Sequence, residues 1–280
     1  MNASLTSLRH LLRLLDDPSP EVQRAIREEM ARMAPRLPEV LAELPEPLPA
    51  TDRRLLQRLM AEERRIWWRE AWPRWRERRR VPSAAEEAFD LVSRFMDATL
   101  PDDGLAHRLQ DLAELARHRG ADQDPMDLAR FLFQDLRLAG ETSDHSNPRT
   151  ASMAAVIEEK CGLPVVLTWI YVLVARRLGL EVRPLPVNRH YLALAEAPQG
   201  GFLVDCSHRA ASYRMSDVPD DTRLKLQASL ASSETATDGV MARLLGHLAD
   251  CYRRLGLSGQ AAFIEPFRQE IAGLSQDSAV

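Results

Sequence analysis

Residues 161–180 read CGLPVVLTWIYVLVARRLGL, and this stretch decides the fold of the chain. An apolar run alone does not separate a helix from a strand, and several of these residues are β-branched. Length favours a helix over residues 165–178, because no turn signal interrupts the run, Pro164 suits a first helical position, and residues 176–179 form a basic last turn and a glycine stop. The run is too short to cross a bilayer, which takes about 20 apolar residues. The sequence therefore predicts a buried core helix.

Three strand-like segments follow this helix, at residues 180–187, 191–195 and 202–205, and short turn segments separate them. Short connections favour antiparallel hairpins. A central helix packed on a small antiparallel sheet is an α+β arrangement, which is the fold class that the sequence predicts. His190 precedes the second segment and Asp205 ends the third, so the sheet carries two polar side chains beside the core helix.

The order helix, histidine, aspartate is also the order of groups in a thiol acyl-transfer site. Such a site needs a Cys thiolate activated by a His and by the positive end of a helix, with a third group that orients the imidazole. His190 and Asp205 can supply the base and the orienting carboxylate, because facing residues on adjacent strands have Cβ atoms about 4.5–5.5 Å apart. The first turn of the helix, where a thiolate is stabilised, holds Pro164, Val165 and Val166 instead of a cysteine.

These residues resemble the SirB-type branch of the transglutaminase-like superfamily. The core of that branch reads Arg-Arg-x-Gly-Ile-Pro-Ile-Ser-Leu, then a helix, then Gly-His-Phe-Leu-Val and Ile-Asp-Pro, after an upstream Asp-Pro-x-Asn-Ser-Tyr-Leu. The similar segments here are residues 159–167 (EKCGLPVVL), 189–193 (RHYLA), 204–206 (VDC) and, upstream, 147–153 (NPRTASM). The resemblance implies a papain/transglutaminase-like core. Residues 84–137 resemble the helical segment that precedes this core, and residues 239–274 resemble a worn tetratricopeptide-like helical pair.

The resemblance and the turn signals together predict five segments along the chain. They are N-terminal helices with a Pro-rich connector at 1–50, a helical segment at 51–146, the transglutaminase-like core at 147–215, a mobile linker at 216–238, and the helical pair at 239–280. Pro45, Pro47 and Pro49 form the connector, and Thr51 can cap one long helix that runs to about residue 80.

Two classes of function follow from the missing thiol. In the first, the domain is a non-catalytic module, a pseudoenzyme. It binds a peptide, a protein or a small acyl-like ligand in the cleft of the former active site, and the helical pair is a partner surface. In the second, it is a cysteine-dependent hydrolase or acyltransferase using Cys161, His190 and Asp205, with Cys161 displaced to the loop before the helix. A buried, inert thiol is the commoner fate of a lone cysteine, so the sequence favours the first class.

The neighbours of Asp205 form a second cluster of reactive residue types. Cys206, Ser207 and His208 follow it directly. Adjacent strand residues face opposite sides, so Asp205 and Cys206 are not expected to share a pocket, and Ser207 and His208 are expected in a turn. His190 also has a structural reading, as a hydrogen-bonded histidine that holds two strands together.

A basic and aromatic segment at residues 64–80, RRIWWREAWPRWRERRR, is a candidate site for binding nucleic acid. Arginines interleaved with tryptophans can bind single strands through phosphates and stacking. The alternative is that tryptophans at helical spacing are buried while the arginines are solvated, and this alternative is favoured. The residues concerned are Arg64, Trp68, Trp72, Trp75 and Arg78.

Composition excludes several further classes. A net charge of −4 and a pI of about 6.0 argue against a dedicated polyanion binder. Three widely spaced cysteines make neither a disulfide framework nor a zinc motif, and His10, His107, His118, His145 and His247 show no metal-ligand spacing. We therefore expect no metal, no cofactor, no membrane segment and a cytoplasmic setting, and the sequence leaves the oligomeric state open.

Overall fold

The computed structural model describes residues 3–14, 17–33, 36–44, 48–141, 146–187, 190–233 and 237–277. Part of the predicted connector (Pro45, Pro47), His145 and the turn residues at 188–189 lie outside the described residues. The helices are α1 (Ala3–Arg13), α2 (Pro20–Met33), α3 (Leu37–Ala42), α4 (Ala50–Leu59), α5 (Ala61–Arg78), α6 (Ala84–Met96), α7 (Gly104–His118), α8 (Pro125–Arg130), α9 (Met153–Glu159), α10 (Pro164–Leu178), α11 (Asp220–Ser233), α12 (Thr237–Arg254) and α13 (Ser258–Asp277). The strands are β1 (Ala139–Gly140), β2 (Cys161–Gly162), β3 (Val182–Val187), β4 (His190–Ala197), β5 (Gly200–Asp205) and β6 (Ala211–Arg214).

The chain forms two compact units, one of Met1–Arg76 with Arg94–Asp102 and one of Glu77–Ser93 with Asp103–Val280. Among the described residues, no helix has the length and apolar character needed to span a membrane.

The first unit is helical and encloses the tryptophans of the basic and aromatic segment. Trp68, Trp72 and Trp75 are all buried, and the Trp68 ring meets the edge of Phe95 at a centroid distance of 4.9 Å. Arg64 donates to the backbone carbonyls of residues 57, 95 and 96, so its guanidinium satisfies carbonyl groups near helix ends. These side chains therefore build the core of this unit.

The prediction of a single long helix from Thr51 to about residue 80 is wrong. Two helices occupy that stretch, α4 and α5, and Met60 separates them. The Arg64 side chain reaches back to the carbonyl of Gln57 in the last turn of α4. The sequence did not predict the break, because no proline or glycine stands at Met60 or beside it to signal a helix end.

The second unit has the predicted α+β architecture. Its central helix α10 is buried along residues 165–175, and the terminal Gly179 takes the left-handed conformation (φ 74°) that closes a helix. The sheet is antiparallel in the order β3-β4-β5-β6, and α10 packs against β3 and β4. The prediction of a buried helix on a small antiparallel sheet is confirmed.

The prediction of a mobile linker at residues 216–238 is wrong for most of these residues. Residues 220–233 form α11, which packs against β3. Leu226 is buried with Leu185, Leu194 and Leu203 of the sheet. The segment is polar enough to resemble a linker, and among its described side chains Leu226 packs on the sheet. Strand β6 was also missed, because three of its four side chains are exposed and give no apolar alternation.

The C-terminal segment forms the predicted helical pair. Helix α12 ends at Arg254 and α13 begins at Ser258, and Gly256 between them takes the left-handed conformation (φ 70°). The guanidinium of Arg243 on α12 lies 4.9 Å from the centroid of the Tyr191 ring on β4. His247 Nε2 lies 3.0 Å from the Thr150 hydroxyl. The pair is therefore packed on the sheet and on the segment before α9.

Candidate functional site

The N-terminus of α10 is the place where a thiol nucleophile of this architecture would stand. Pro164 is its first residue, and Val165 and Val166 are buried. The N–H of Leu163 donates to the carbonyl of Thr150 at 3.1 Å, which fixes the entry of the chain into the helix. No side chain in this turn can act as a nucleophile, as the sequence indicated.

Cys161 lies on β2, outside the first turn of α10. Strand β2 pairs in parallel with β1, with Ala139 opposite Cys161. Gly140 of β1 also donates its N–H to the carbonyl of Ser207 at 3.2 Å. Strand β1 is therefore bonded to β2 on one side and to the turn after β5 on the other. Within the described part of the chain, no hydrogen bond joins Cys161 to His190.

The electrostatic surroundings of Cys161 oppose ionisation. Partial burial raises the pKa of its thiol, and the nearby carboxylates of Glu141 and Glu159 raise the pKa further. An activated thiol needs the opposite environment, with a cation or a helix N-terminus that lowers the pKa. Cys161 is therefore a poorer nucleophile at neutral pH than an ordinary exposed cysteine.

His190 and Asp205 form the pair that the strand spacing predicted. His190 Nε2 lies 3.1 Å from Asp205 Oδ2, and the side chains are 39% and 16% exposed. The register pairs Ala193 with Val204, so its continuation sets Asp205 against Leu192. The two side chains are diagonal neighbours rather than directly opposite, and a long imidazole closes that gap.

His208 completes this polar group, and the sequence did not predict it there. Its Nδ1 lies 2.8 Å from Asp205 Oδ2, the same oxygen that His190 meets. The N–H of Ser207 donates to the other carboxylate oxygen, Oδ1, at 2.9 Å. Arg209 and Ala210 then take left-handed conformations with φ of 54° and 58°, which turns the chain tightly into β6. Such positions are uncommon for non-glycine residues, and a strand pattern does not reveal them.

The Asp205 carboxylate is ionised at neutral pH. Burial acts to raise its pKa, but hydrogen bonds from His190, His208 and the Ser207 N–H outweigh this effect and hold the pKa below its usual range. Because a carboxylate only accepts hydrogen bonds, the two imidazole nitrogens that face it carry protons.

The other two cysteines are buried. Cys206 faces inward, away from Asp205, as strand alternation predicted, and burial raises the pKa of its thiol far above the usual range. Cys251 lies on α12, where its Sγ is 3.2 Å from His247 Nε2. Neither thiol is exposed to solvent, so neither offers a surface nucleophile.

Comparison with known proteins is consistent with this architecture. A family model described as the transglutaminase-like superfamily matches residues 104–245. The chain is 26% identical over 145 residues to a UPF0162 protein of Xylella fastidiosa strain 9a5c, an alignment that covers 48% of this chain and 50% of the relative. A UPF0162 protein of Xylella fastidiosa strain Temecula1 / ATCC 700964 is 27% identical over 135 residues, with 44% and 47% covered. The chain thus spans about half the length of the curated relatives it matches. No solved structure gives a significant match.

Proposed function

The chain belongs to the transglutaminase-like superfamily, and from that premise we propose that it is a non-catalytic member that binds an extended peptide or protein segment. The observation that carries the proposal is the position of the thiol. Pro164, Val165 and Val166 occupy the first turn of α10, and Cys161 on β2 makes no hydrogen bond to His190 within the described residues. The histidine and carboxylate of a thiol enzyme are thus present without a thiol that they can activate.

The finer relationship is part of the same proposal. The motifs around residues 159–167 and 189–193 support a place in the SirB-type branch, and the pair α12 and α13 supports a tetratricopeptide-like tail. Three free cysteines support a reducing, cytoplasmic setting in a bacterial cell.

The edge of the sheet supports a peptide partner. Strand β6 is the last strand in the order β3-β4-β5-β6, while α11 packs against β3 at the opposite edge. An edge strand offers backbone N–H and C=O groups to an added strand, which is a common mode of peptide recognition. Tyr213 on β6 is 66% exposed, so it can contact a side chain of the added peptide. The proposed partner is an extended segment that lies along β6.

Labelling of the cysteines with iodoacetamide tests the absence of catalysis. Since the raised pKa leaves Cys161 with less thiolate than an ordinary cysteine at pH 7, we expect slow labelling that speeds up only as the pH rises toward that raised pKa. The rate should be the same in His190→Ala and in the control His107→Ala, whose histidine lies on α7. Buried Cys206 and Cys251 should label only after unfolding.

Rapid labelling of Cys161 well below pH 8 that collapses in His190→Ala would reveal an activated Cys-His pair. That result would overturn the proposal in favour of a cysteine-dependent hydrolase or acyltransferase using Cys161, His190 and Asp205.

Selection from a random peptide display library against the full chain tests binding. We expect selected peptides to bind Tyr213→Ser about tenfold or more weakly than the wild type, because an exposed aromatic anchor carries a large share of interface energy. The matched control is Leu115→Ser, an exposed apolar residue on α7 (38% exposed). Affinities are measured by fluorescence polarisation. Failure to select any peptide, or equal binding by both variants, would contradict a peptide site at β6.

A further inference from the structure

We propose that His190, Asp205 and His208 form a binding site for a divalent transition-metal ion of the Zn²⁺ type. Each residue offers one ligand atom, and the three atoms lie within 4.8 Å of one another. Two imidazoles and one carboxylate, with a fourth position left for water or another ligand, are a recurrent zinc ligand set. The inference goes beyond peptide binding, since a metal ion can occupy this group whether or not β6 accepts a peptide.

The distances between the ligand atoms fit a small cation after a modest adjustment. Zinc binds nitrogen and carboxylate oxygen at about 2.0–2.2 Å, so tetrahedral ligand atoms stand about 3.3–3.5 Å apart. Asp205 Oδ2 already lies 3.1 Å from His190 Nε2 and 2.8 Å from His208 Nδ1. These two contacts have to open by roughly 0.2–0.7 Å to reach the tetrahedral spacing. The third spacing, between the two ring nitrogens, is within 4.8 Å. The His208 side chain is 73% exposed, so its ring is the ligand that can rotate toward the ion.

The protons of the two imidazoles can be rearranged without a charge penalty. Without metal, the nitrogens that face Asp205 carry protons, and the outer nitrogens, His190 Nδ1 and His208 Nε2, are the acceptors. When a neutral imidazole binds the metal through its inner nitrogen, the proton moves by way of solvent to the outer nitrogen. The total number of protons is unchanged, and the carboxylate exchanges two hydrogen bonds for one bond to the cation.

The surroundings hold the carboxylate ready for this role. The Ser207 N–H donates to Oδ1, which leaves Oδ2 turned toward the two rings. Hydrogen bonds of this kind orient metal ligands and raise their affinity. The turn that carries His208 is itself fixed, because Ser207 accepts from the Gly140 N–H and Arg209 accepts from the Gln134 side chain. The metal site is therefore prepared on the protein side apart from a shift of His208.

Calorimetric titration of the metal-free full chain with Zn²⁺ at pH 7.5 tests the proposal. We expect one ion per chain in the wild type and an affinity at least about tenfold lower in His208→Ala, because even partners outside the ligand shell cost 10–100-fold when removed. The exposure of His208 means that this variant should fold. The matched control is His107→Ala, which removes an exposed histidine of α7 whose Nδ1 lies 3.5 Å from Asp103 Oδ1. At the same concentration, Zn²⁺ should raise the melting temperature of the wild type and the control more than that of His208→Ala.

A spectroscopic readout identifies the ligand atoms. In ¹⁵N NMR of the histidine rings, Zn²⁺ should shift His190 Nε2 and His208 Nδ1, while Cys161→Ser binds as the wild type does. Loss of binding in Cys161→Ser, equal affinities of wild type and His208→Ala, or no stoichiometric binding would each overturn the assignment. Peptide binding at β6 is measured separately with metal-free protein, so the failure of one proposal does not resemble the failure of the other.

Discussion

Deletion of residues 239–280 is expected to expose apolar surface and to reduce solubility, because α12 and α13 pack on the rest of the second unit. The buried face of α12 includes Leu244, Leu245 and Leu248. Burial of one such side chain is worth about 1.5–3 kcal/mol. Losing three therefore removes about 5–9 kcal/mol, which is comparable with the whole stability of a typical domain, about 5–15 kcal/mol.

The measurement is the soluble fraction and the binding of a hydrophobic dye. A point variant separates packing from chain length: Leu248→Ala should cost about 2–5 kcal/mol of unfolding free energy, whereas Leu255→Ala, at 49% exposure, should cost little. Unchanged solubility and melting of the truncated chain would mean that the tail does not stabilise the second unit.

Replacement of Trp68 by alanine is expected to destabilise the first unit by about 3–5 kcal/mol, the usual cost of removing a buried aromatic ring. Trp68 is 0% exposed, stacks on Trp72 at 5.7 Å and meets Phe95 edge-on at 4.9 Å. For a unit of this size, such a loss lowers the melting temperature by more than about 10 °C.

Tryptophan fluorescence during urea unfolding measures this effect, since four of the five tryptophans lie in the first unit. The control is Trp67→Ala on the same helix. Trp67 is half-buried, and the guanidinium of Arg94 lies 4.6 Å from its ring centroid, an interaction worth about 0.5–1 kcal/mol at an exposed site. Equal destabilisation by the two variants would contradict a core role specific to Trp68.

The polar group at the end of the sheet is organised around the Asp205 carboxylate. Asp205 Oδ2 is shared by His190 and His208, whereas Cys161 lies on β2, and β1 bonds to β2 on one side and to the turn after β5 on the other. A carboxylate engaged by two imidazoles is suited to holding a cation or to fixing the hairpin, rather than to orienting one histidine toward a nucleophile. The two proposals concern neighbouring features, because the hairpin that presents His208 continues directly into β6.

Much of the core could be predicted because its signals are local. The apolar run at 165–178, bounded by Pro164 and Gly179, predicts a helix. The observed helix α10 ends at Leu178, the residue at which the prediction ended. The three strands after it were located within two residues of their observed bounds. Helix α11 was missed because its sequence is polar, and the contact of Leu226 with Leu185, Leu194 and Leu203 joins residues far apart in sequence.

In the candidate site, too, one part could be predicted from local sequence signals and another part could not. The proximity of His190 and Asp205 follows from antiparallel strands joined by a short connection, so the sequence was sufficient to predict it. The position of His208 depends on two consecutive left-handed residues, Arg209 and Ala210, and on hydrogen bonds from Gly140 and Gln134 to the turn. Neither feature has a pattern in the amino-acid order.

The sequence by itself determined that a buried helix packs on a small antiparallel sheet, that a histidine and an aspartate meet at the end of that sheet, and that the helix begins without a thiol. Periodicity, proline and glycine positions and strand alternation are short-range properties that the chain carries in any context. Only the tertiary structure decided that β1 separates Cys161 from the turn after β5, and that His208 shares the Asp205 oxygen with His190. Those arrangements arise from contacts between residues far apart in sequence, whose energies depend on how the whole unit packs.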